Sequence, residues 1–483
     1  MLVILTILSA ALLTAANYYP DLYFLSWIGF FPFLYFIFIL NKNELNYKRA
    51  FLAGWNLGFW ILIFSSNFLY HSIEIYTEAS FFLIIFILIL LFSLLAFVYA
   101  VFFMIYFYFQ QKLFAGNQFN PFLFAIVWTV MEVVRYYLFY FFPLANLAYT
   151  QVEFLSFIQL AEIGGIWILT FIMVLVNALI FKLIFYRQAK NAFVIVLIFL
   201  FIFIFANYRA EIVSENTGQF LADQNFKIGI ITSRIDQNRK WNLSQLEQNL
   251  NLTLDAASNL VGAELIIAPE TNITFDFHAN QKYREKFLNK IAAEFKKPVQ
   301  IGSLAGRDSI SGRFNSSFLI SPAGKIISRY DKNLLLYFGE RFPFEDTLNK
   351  YIPYNFSSLN AGQQQHIFKY KNFKWKTVIC SEILYPDYVK DGSKNVDFIV
   401  NQTNEAWFKE SRLLKNLMWQ AAVLRAVENR TVVVKTGNYS HNGIIYPLGN
   451  YEKTISGQNY HLLNLNQASR KAFKKPFFSD IIN

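Results

Sequence analysis

The sequence predicts two chemically different parts: a multi-pass α-helical membrane bundle of about seven spans, followed by an extramembrane domain of layered α/β type. Hydrophobic residues make up 55% of the 483 residues and charged residues only 16%, whereas soluble domains carry about 25% charged residues. Residues 1–207 hold 8 Lys/Arg and 7 Asp/Glu, while residues 208–483 hold 35 and 25. Long apolar runs stop near residue 207, and patterns typical of alternating strands and helices follow.

The membrane part contains seven apolar stretches that approach the roughly 20 residues needed to cross a bilayer. They are residues 1–19, 22–40, 51–70, 81–109, 121–141, 165–185 and 191–207. The first stretch lacks a basic start, and a second follows almost at once. We therefore interpret it as a span rather than as a cleaved signal peptide.

The loops between these stretches predict the orientation of the chain. One set of loops carries all the basic residues: Lys42, Lys48, Arg49, Lys112, Arg187 and Lys190. The alternate loops, around residues 19–21, 71–80 and 142–164, contain no Lys or Arg. The positive-inside rule puts the basic set in the cytoplasm. Seven spans then leave residues 208–483 on the outer face of the membrane.

Two ionisable residues lie inside the fifth predicted span. Glu132 and Arg135 are three residues apart, so they share a helix face and are expected to pair. The sequence leaves two interpretations of these residues open: a structural ion pair that packs helices together, or a functional site. The apolar loop that follows, residues 141–151, is expected to lie in the membrane interface and to help form an entry for lipid.

The extramembrane part alternates short apolar runs with amphipathic segments, which predicts layered α/β packing. Strands are predicted at residues 227–235, 264–269, 299–304, 314–321, 325–331, 374–380, 397–401 and 431–435, and helices at 244–260, 281–295 and 411–428. Ser244 and Glu247 have capping-box spacing. We predict a transmembrane domain over 1–207, a linker over 208–225, a catalytic domain over 226–465 and a basic aromatic tail over 466–483.

Three different functional groups follow predicted strands in this domain. Glu270 follows residues 265–269, Lys332 follows 326–331, and Cys380 ends the run 377–380. Sites in open α/β sheets form at the carboxyl ends of strands, so the three groups are expected to converge. A carboxylate can take the proton of a thiol, and an ammonium can stabilise a thiolate and an oxyanion. The backbone N–H of Ser381 is a candidate second oxyanion donor.

Each of these residues has a purely structural alternative. Glu270 would then be a helix N-terminal carboxylate, Lys332 a solvated charge, and Cys380 a buried small hydrophobe. Because Cys380 is the only cysteine and the five histidines form no ligand pattern, we expect no disulfide within the chain, no metal and no cofactor. The basic charge of this half suits lipid headgroups, and we expect no nucleic-acid partner.

Three segments resemble the motifs of the nitrilase (carbon–nitrogen hydrolase) superfamily, whose members use Glu, Lys and Cys in that chain order. They are Ala268-Pro269-Glu270, then residues 330–334 with 338–343, and residues 378–382. The resemblance covers nearly all of residues 226–450 and implies an αββα sandwich. It also suggests a second essential carboxylate at Glu340, for which a surface salt bridge is the alternative.

A domain of this kind after a multi-span bundle is similar to the apolipoprotein N-acyltransferase family. The residues that carry this likeness include Trp128, Glu132, Arg135, Pro143, Tyr149, Gln151, Trp241, Trp407 and Gln420. It implies an inner-membrane enzyme with its catalytic domain in the periplasm. The implied partners are a phospholipid acyl donor and a diacylglyceryl apolipoprotein acceptor.

Several supporting roles follow from the resemblance. Glu382 would brace the site or pair with a base, and Trp407 would contact acyl chains or fill the core. Trp241 and Phe338 are candidate substrate-binding residues. Phe338 would form an apolar lid with Tyr337 and Phe342, or these three side chains would simply pack within a loop. The tail is expected to lie on headgroups or to be disordered. A membrane-tethered amidase and a non-catalytic lipoprotein-binding protein remain as alternative functions.

Overall fold

The computed structural model describes most of the chain. It covers residues 1–40, 45–77, 80–114, 119–140, 142–222, 226–232, 234–307, 310–342, 345, 349–350, 357–408, 411–455 and 457–465. The predicted tail, residues 466–483, lies outside the described residues. The chain divides into two compact units, Met1–Arg209 with Ser411–Gln420, and Ala210–Glu410 with Ala421–Asn483.

The first unit is helical. Its α-helices are α1 (Leu2–Tyr18), α2 (Phe31–Ile39), α3 (Tyr47–Ser66), α4 (Leu69–Thr77), α5 (Phe81–Leu113), α6 (Pro121–Leu138), α7 (Leu155–Ile158), α8 (Ala161–Phe185) and α9 (Lys190–Ala222), with 3-10 helices at Pro20–Trp27 and Leu147–Gln151. Helix α9 continues through Ala222, so most of the segment expected as a linker is helical. Each of the seven apolar stretches coincides with one or more of these helices.

Five helical segments among the described residues are long and apolar enough to cross a membrane. They are Pro20–Ile39, Phe81–Leu113, Pro121–Leu138, Ala161–Phe185 and Lys190–Val213. Helix α1 is a shorter apolar helix of 17 residues. The predicted helical membrane bundle is therefore confirmed, and the number of seven spans is approximate.

Glu132 and Arg135 interact electrostatically with each other, and both hold the segment that follows α6 by hydrogen bonds. The carboxylate of Glu132 accepts from Asn146 Nδ2 (2.7 Å), Leu147 N (3.3 Å), Thr170 Oγ1 (2.9 Å) and Trp128 Nε1 (3.3 Å). Arg135 donates to the Leu144 carbonyl at 2.6 Å. Residues 142–151 are buried within the protein, and their place in the membrane interface stays a prediction. Two charged side chains of α6 therefore satisfy three polar groups of this segment, at Leu144, Asn146 and Leu147.

The second unit contains two six-stranded sheets among its described residues. The strands are β1 (Lys227–Ile231), β2 (Leu265–Ile267), β3 (Val299–Arg307), β4 (Ile310–Ile320), β5 (Ile326–Asp331), β6 (Ile367–Tyr370), β7 (Phe373–Ile379), β8 (Phe398–Asn404), β9 (Val432–Asn438), β10 (Gly443–Ile445), β11 (Tyr451–Lys453) and β12 (Tyr460–Asn464). The order is β12-β1-β2-β3-β4-β5 in the first sheet and β11-β10-β9-β8-β7-β6 in the second.

Helices accompany the two sheets of this unit. They are α10 (Gln237–Lys240), α11 (Leu246–Ser258), α12 (Gln281–Lys290, continued by a π-helical turn Ile291–Phe295), α13 (Pro386–Lys390) and α14 (Arg412–Asn429), whose residues up to Gln420 belong to the first unit. The predicted capping box is wrong: α11 begins at Leu246, and Ser244 hydrogen-bonds to the side chain of Asn242 instead.

Apolar residues of both sheets form one core. Ile228 and Ile230 of β1 pack in the same cluster as Trp375, Phe398 and Val434 of the second sheet. A second cluster joins the other face of the first sheet to α11 and α12. One face of each sheet therefore packs against this shared core. The predicted α/β sandwich is confirmed.

Candidate active site

Strand direction brings three of the predicted residues to the same ends of the sheets. Strands β1, β2 and β3 are parallel, and β5 runs in the same direction because β4 is antiparallel to both of its neighbours. Glu270 follows β2 and Lys332 follows β5, while Cys380 follows β7, which is parallel to β8. The three groups therefore occupy carboxyl ends of strands in both sheets, as the strand pattern predicts.

Glu270 is a buried carboxylate with one free oxygen. Its side chain is 7% exposed, and Oε1 accepts a hydrogen bond from Asn315 Nδ2 at 2.7 Å. Oε2 has no hydrogen-bond partner among the described residues. Burial raises the pKa of this carboxyl group, and Lys332 opposes the shift. A carboxylate with a raised pKa and a free oxygen can act as a general base.

Lys332 is held as a buried cation. Its side chain is 1% exposed, and Nζ donates to Glu340 Oε2 at 2.6 Å. Burial alone would lower the pKa of Lys332, but the negative charges of Glu340 and Glu270, and that of Cys380 when it is ionised, outweigh it and raise the pKa. A fixed positive charge at this position can stabilise negative charge on sulfur or on an oxyanion.

Glu340 is therefore a partner of the lysine and not a surface salt bridge. Its Oε2 also accepts from the Leu336 N–H at 2.8 Å, while Oε1 accepts from Asn315 Nδ2 at 2.6 Å. Asn315, which the sequence reasoning did not single out, thus donates to both carboxylates. Asn315 lies in β4, between β3 and β5, and no spacing rule marks an asparagine inside a strand, so the sequence carries no signal for it.

Cys380 follows β7 in a strained backbone conformation. Its φ is +51°, in the left-handed region that residues other than glycine rarely adopt. Burial raises the pKa of the thiol well above its usual range; Glu270 adds to the shift and Lys332 opposes it. Cys380 thus interacts electrostatically with both other members of the predicted triad. The resting group is a thiol, and its proton must be taken up as it attacks.

Glu382 ties the lysine segment to the nucleophile strand. Its carboxylate accepts from the Ile379 N–H (2.7 Å), the Asn333 N–H (2.8 Å) and the Leu334 N–H (3.1 Å). The Tyr330 hydroxyl lies 2.8 Å from both carboxylate oxygens. These contacts lie on either side of Lys332 and directly before Cys380. The geometry matches the bracing role of Glu382, since its partners here are backbone amides and a phenol.

The remaining predicted residues differ in exposure. Ser381 is buried at 5% exposure, Trp407 is partly buried, and Trp241 is 36% exposed. Phe338 is 56% exposed and has φ +61° in a tight turn, while Phe342 is buried. Their contacts with substrate stay predictions. No group of three or more His, Cys, Asp or Glu able to hold a metal occurs in the described part of the chain.

Two further charged residues near the site were missed as site residues. Lys240 is 1% exposed and interacts electrostatically with Glu270 and Cys380. Glu405, 1% exposed, interacts with Cys380 and pairs with Lys435 at 2.7 Å. Lys240 lies beside Trp241 in a segment that carries the family likeness, and this position was the signal available in the sequence.

Comparison with known proteins identifies the family. Residues 9–179 match the apolipoprotein N-acyltransferase N-terminal domain, and residues 227–450 match the carbon-nitrogen hydrolase family. This chain belongs to the apolipoprotein N-acyltransferase family. The resemblance stated from the sequence is thereby confirmed.

Curated relatives carry the name of the same family. An apolipoprotein N-acyltransferase of Geobacter metallireducens is 30% identical over 67% of this chain and 63% of its own length. Enzymes of that name from Pseudomonas syringae pv. tomato and Rickettsia prowazekii are 25% and 24% identical over 86% and 88% of this chain, and over 81% and 84% of their own lengths. These relatives do not favour the amidase alternative.

Solved structures offer a more distant likeness. Two structures of an amidase from Nesterenkonia sp. are 15% and 14% identical, with a TM-score of 0.37 in each case. The matched regions cover 50% and 51% of this chain, and 94% and 92% of the amidase chains. At this level of similarity they carry no argument about activity or substrate.

Proposed function

We propose that this chain transfers an acyl chain from a membrane phospholipid, through a thioester on Cys380, to the N-terminal α-amine of diacylglyceryl-cysteine on apolipoproteins. The observation that carries the proposal is the electrostatic convergence of Glu270, Lys332 and Cys380. Membership of the apolipoprotein N-acyltransferase family supports the choice of donor and acceptor.

In the first step, Cys380 Sγ attacks the ester carbonyl of the phospholipid. Glu270 takes the thiol proton on its free Oε2, so the thiol ionises as the new bond forms and not beforehand. Lys332 and the backbone N–H of Ser381 stabilise the oxyanion. The carbon–oxygen bond of the ester then breaks, Glu270 returns the proton to the leaving oxygen, and a lysophospholipid departs.

In the second step, the α-amine of the acceptor attacks the thioester carbonyl. Glu270 accepts a proton from the amine nitrogen, the carbon–sulfur bond breaks, and the proton returns to Cys380. The products are an amide and the resting thiol. Since an amide is more stable than a thioester, this step runs downhill and no cofactor is required.

The raised pKa values suit this sequence of proton transfers. Burial raises the pKa of Glu270, which makes its carboxylate a stronger proton acceptor, and burial raises the pKa of Cys380, so the thiol keeps its proton until it attacks. Lys332 keeps its charge throughout, because the nearby negative charges raise its pKa. The site therefore holds a fixed cation beside a mobile proton.

The membrane part supplies a second contribution to the reaction. Both substrates carry lipid, and confining them to the surface in which the enzyme is inserted raises their effective concentration. The distribution of basic loops favours a periplasmic location for residues 208–483. We therefore propose the bacterial inner membrane, with the catalytic domain on the periplasmic face.

A labelling experiment tests the proposal. The full chain in detergent micelles or proteoliposomes is incubated with a phospholipid that carries a labelled acyl chain. We expect a labelled acyl group on Cys380 that hydroxylamine releases and that a diacylglyceryl-cysteine peptide removes as an amide. Cys380→Ala is the matched control. Turnover of a small amide without any acyl group on Cys380 would favour an amidase and contradict the proposal.

A further inference from the structure

Glu270 is followed by a strained turn that several contacts hold in place. Thr271 has φ +45°, although its β-branched side chain disfavours the left-handed region. A Cβ atom added to Gly302 of β3 would lie 2.6 Å from the Pro269 carbonyl oxygen and 2.6 Å from the Thr271 nitrogen. The turn therefore approaches the backbone of β3 more closely than a side chain there would permit.

Lys240 contacts this turn from the end of α10. Its ammonium donates to Thr271 Oγ1 at 2.7 Å and to the Glu270 carbonyl oxygen at 3.4 Å. With the Asn404 amide oriented so that its oxygen faces donors, this oxygen accepts from Lys240 Nζ at 3.1 Å and from Trp407 Nε1 at 3.2 Å. A buried ammonium is costly unless it is hydrogen-bonded, and these partners satisfy it.

The charge of Lys240 faces the catalytic groups. Its interactions with Glu270 and Cys380 favour the charged ammonium, whereas burial disfavours it and lowers the pKa of Lys240 to about 7. Glu270 in turn faces Lys332, Glu340 and Lys240, and the two lysines favour its ionised form. Cys380 faces Glu270, Glu340, Glu405 and Lys332. Below about pH 7, Lys240 is thus a second buried cation that interacts with the general base.

We propose that Lys240 is a positioning residue for Glu270: it holds the Glu270–Thr271 turn by hydrogen bonds and favours the ionised form of the carboxylate. This proposal rests on the role of Glu270 as the proton acceptor for Cys380. In the proposed mechanism Lys332 contacts the oxyanion directly, whereas Lys240 acts on the reaction only through Glu270. Loss of its charge raises the pKa of Glu270, and loss of its hydrogen bonds releases the turn.

Alkylation of the only cysteine tests the proposal without any lipid. The rate at which iodoacetamide modifies Cys380 in the full chain is followed by mass spectrometry from pH 4 to pH 9. At the acidic end of this pH–rate profile the rate rises as the pH increases, and this rise, the acidic limb, reports the ionisation of Glu270. We expect Lys240→Met to move this limb to higher pH by about one unit, and Lys240→Arg to restore it, because a cation beside a carboxylate lowers the pKa.

Two further variants keep the proposal falsifiable. Thr271→Val retains the charge of Lys240 but removes its shortest contact, so we expect alkylation about tenfold slower with an unchanged limb, equivalent to about 1.4 kcal/mol. Lys297→Met is the control: the pKa of Lys297 is also lowered by burial, and its ammonium donates to the Leu260 carbonyl at 2.9 Å.

The outcomes separate this inference from the proposed function. If folded Lys240→Met keeps the wild-type limb, or if Lys297→Met moves the limb equally, the inference is overturned. If Lys240→Met does not fold, a wild-type alkylation rate in Thr271→Val overturns it. Failure to trap an acyl group on Cys380, with these alkylation results intact, would instead contradict the acyl-transfer proposal alone.

Discussion

Replacing Glu340 by glutamine should make Cys380 easier to alkylate at low pH and yet make the enzyme slower. Glu340 raises the pKa of both Glu270 and Cys380. Without its charge both pKa values fall, so the acidic limb of alkylation by iodoacetamide moves to lower pH. An inert surface residue would move neither the limb nor the rate.

The loss of rate follows from the contacts of Glu340. Its carboxylate accepts from Lys332 Nζ at 2.6 Å and from Asn315 Nδ2 at 2.6 Å, on different oxygens. Glutamine offers one oxygen, so one of these donors faces an amide N–H group, and the bond to Lys332 loses its charge assistance. Weakening a hydrogen bond to a charged group costs about 1.5–3 kcal/mol. If Lys332 is thereby displaced, acylation slows about 10- to 150-fold.

The assay compares two rates in the same preparation. Acyl-enzyme formation is timed with labelled phospholipid, and alkylation of Cys380 is timed across the pH range. Asp255→Asn, which removes a charge from the helix α11 of the same domain, serves as the control. Wild-type acylation in Glu340→Gln, or an acidic limb that moves to higher pH, would refute the reasoning.

Three other substitutions give separable results. Asn315→Ala removes a hydrogen bond that lowers the pKa of Glu270, so the acidic limb of alkylation should move to higher pH; an unchanged limb would contradict this. Glu382→Gln places an amide N–H group among backbone N–H donors, and we expect a loss of about 2–3 kcal/mol in unfolding free energy, read as a lower thermal midpoint than in Tyr330→Phe. Gly302→Ala forces a Cβ atom against the turn that carries Glu270; overpacking of this kind costs about 1–3 kcal/mol, and acylation should fall, whereas a wild-type rate would show that the turn tolerates displacement.

Strand order made the triad predictable from the sequence. Predicted strands end at or shortly before Glu270, Lys332 and Cys380, and strands that run in the same direction bring such ends together. Hydropathy located the helices of the first unit equally well, because a long apolar run has few alternatives to a membrane helix. These parts of the structure depend on patterns that are local in sequence.

Contacts between distant segments were not predictable in the same way. The Lys240–Thr271 bond and the Asn315 bonds to two carboxylates join residues far apart in the chain. The pairing of Glu132 with Arg135 was predicted from helix spacing alone, yet both side chains bind the loop after α6. In each case the partner lies in a segment of the chain that local spacing does not identify.

The short strands at the end of the second sheet were missed for a related reason. Gly443–Ile445 and Tyr451–Lys453 are three residues each, too short to show a period of two. Tyr460–Asn464 pairs with β1 more than 200 residues earlier in the chain. Such strands form because the edge of a sheet offers unpaired backbone N–H and C=O groups. The sequence of the added strand does not indicate that such an edge is nearby.

The most direct test of the central claim is the acylation state of lipoprotein N-termini in cells that depend on this chain. Mass spectrometry would compare cells supplied with the wild-type chain and cells supplied with Cys380→Ala or Cys380→Ser. We predict N-acylated diacylglyceryl-cysteine with the wild type, and a free α-amine with either variant at equal membrane abundance. Full N-acylation with Cys380→Ala would contradict the account.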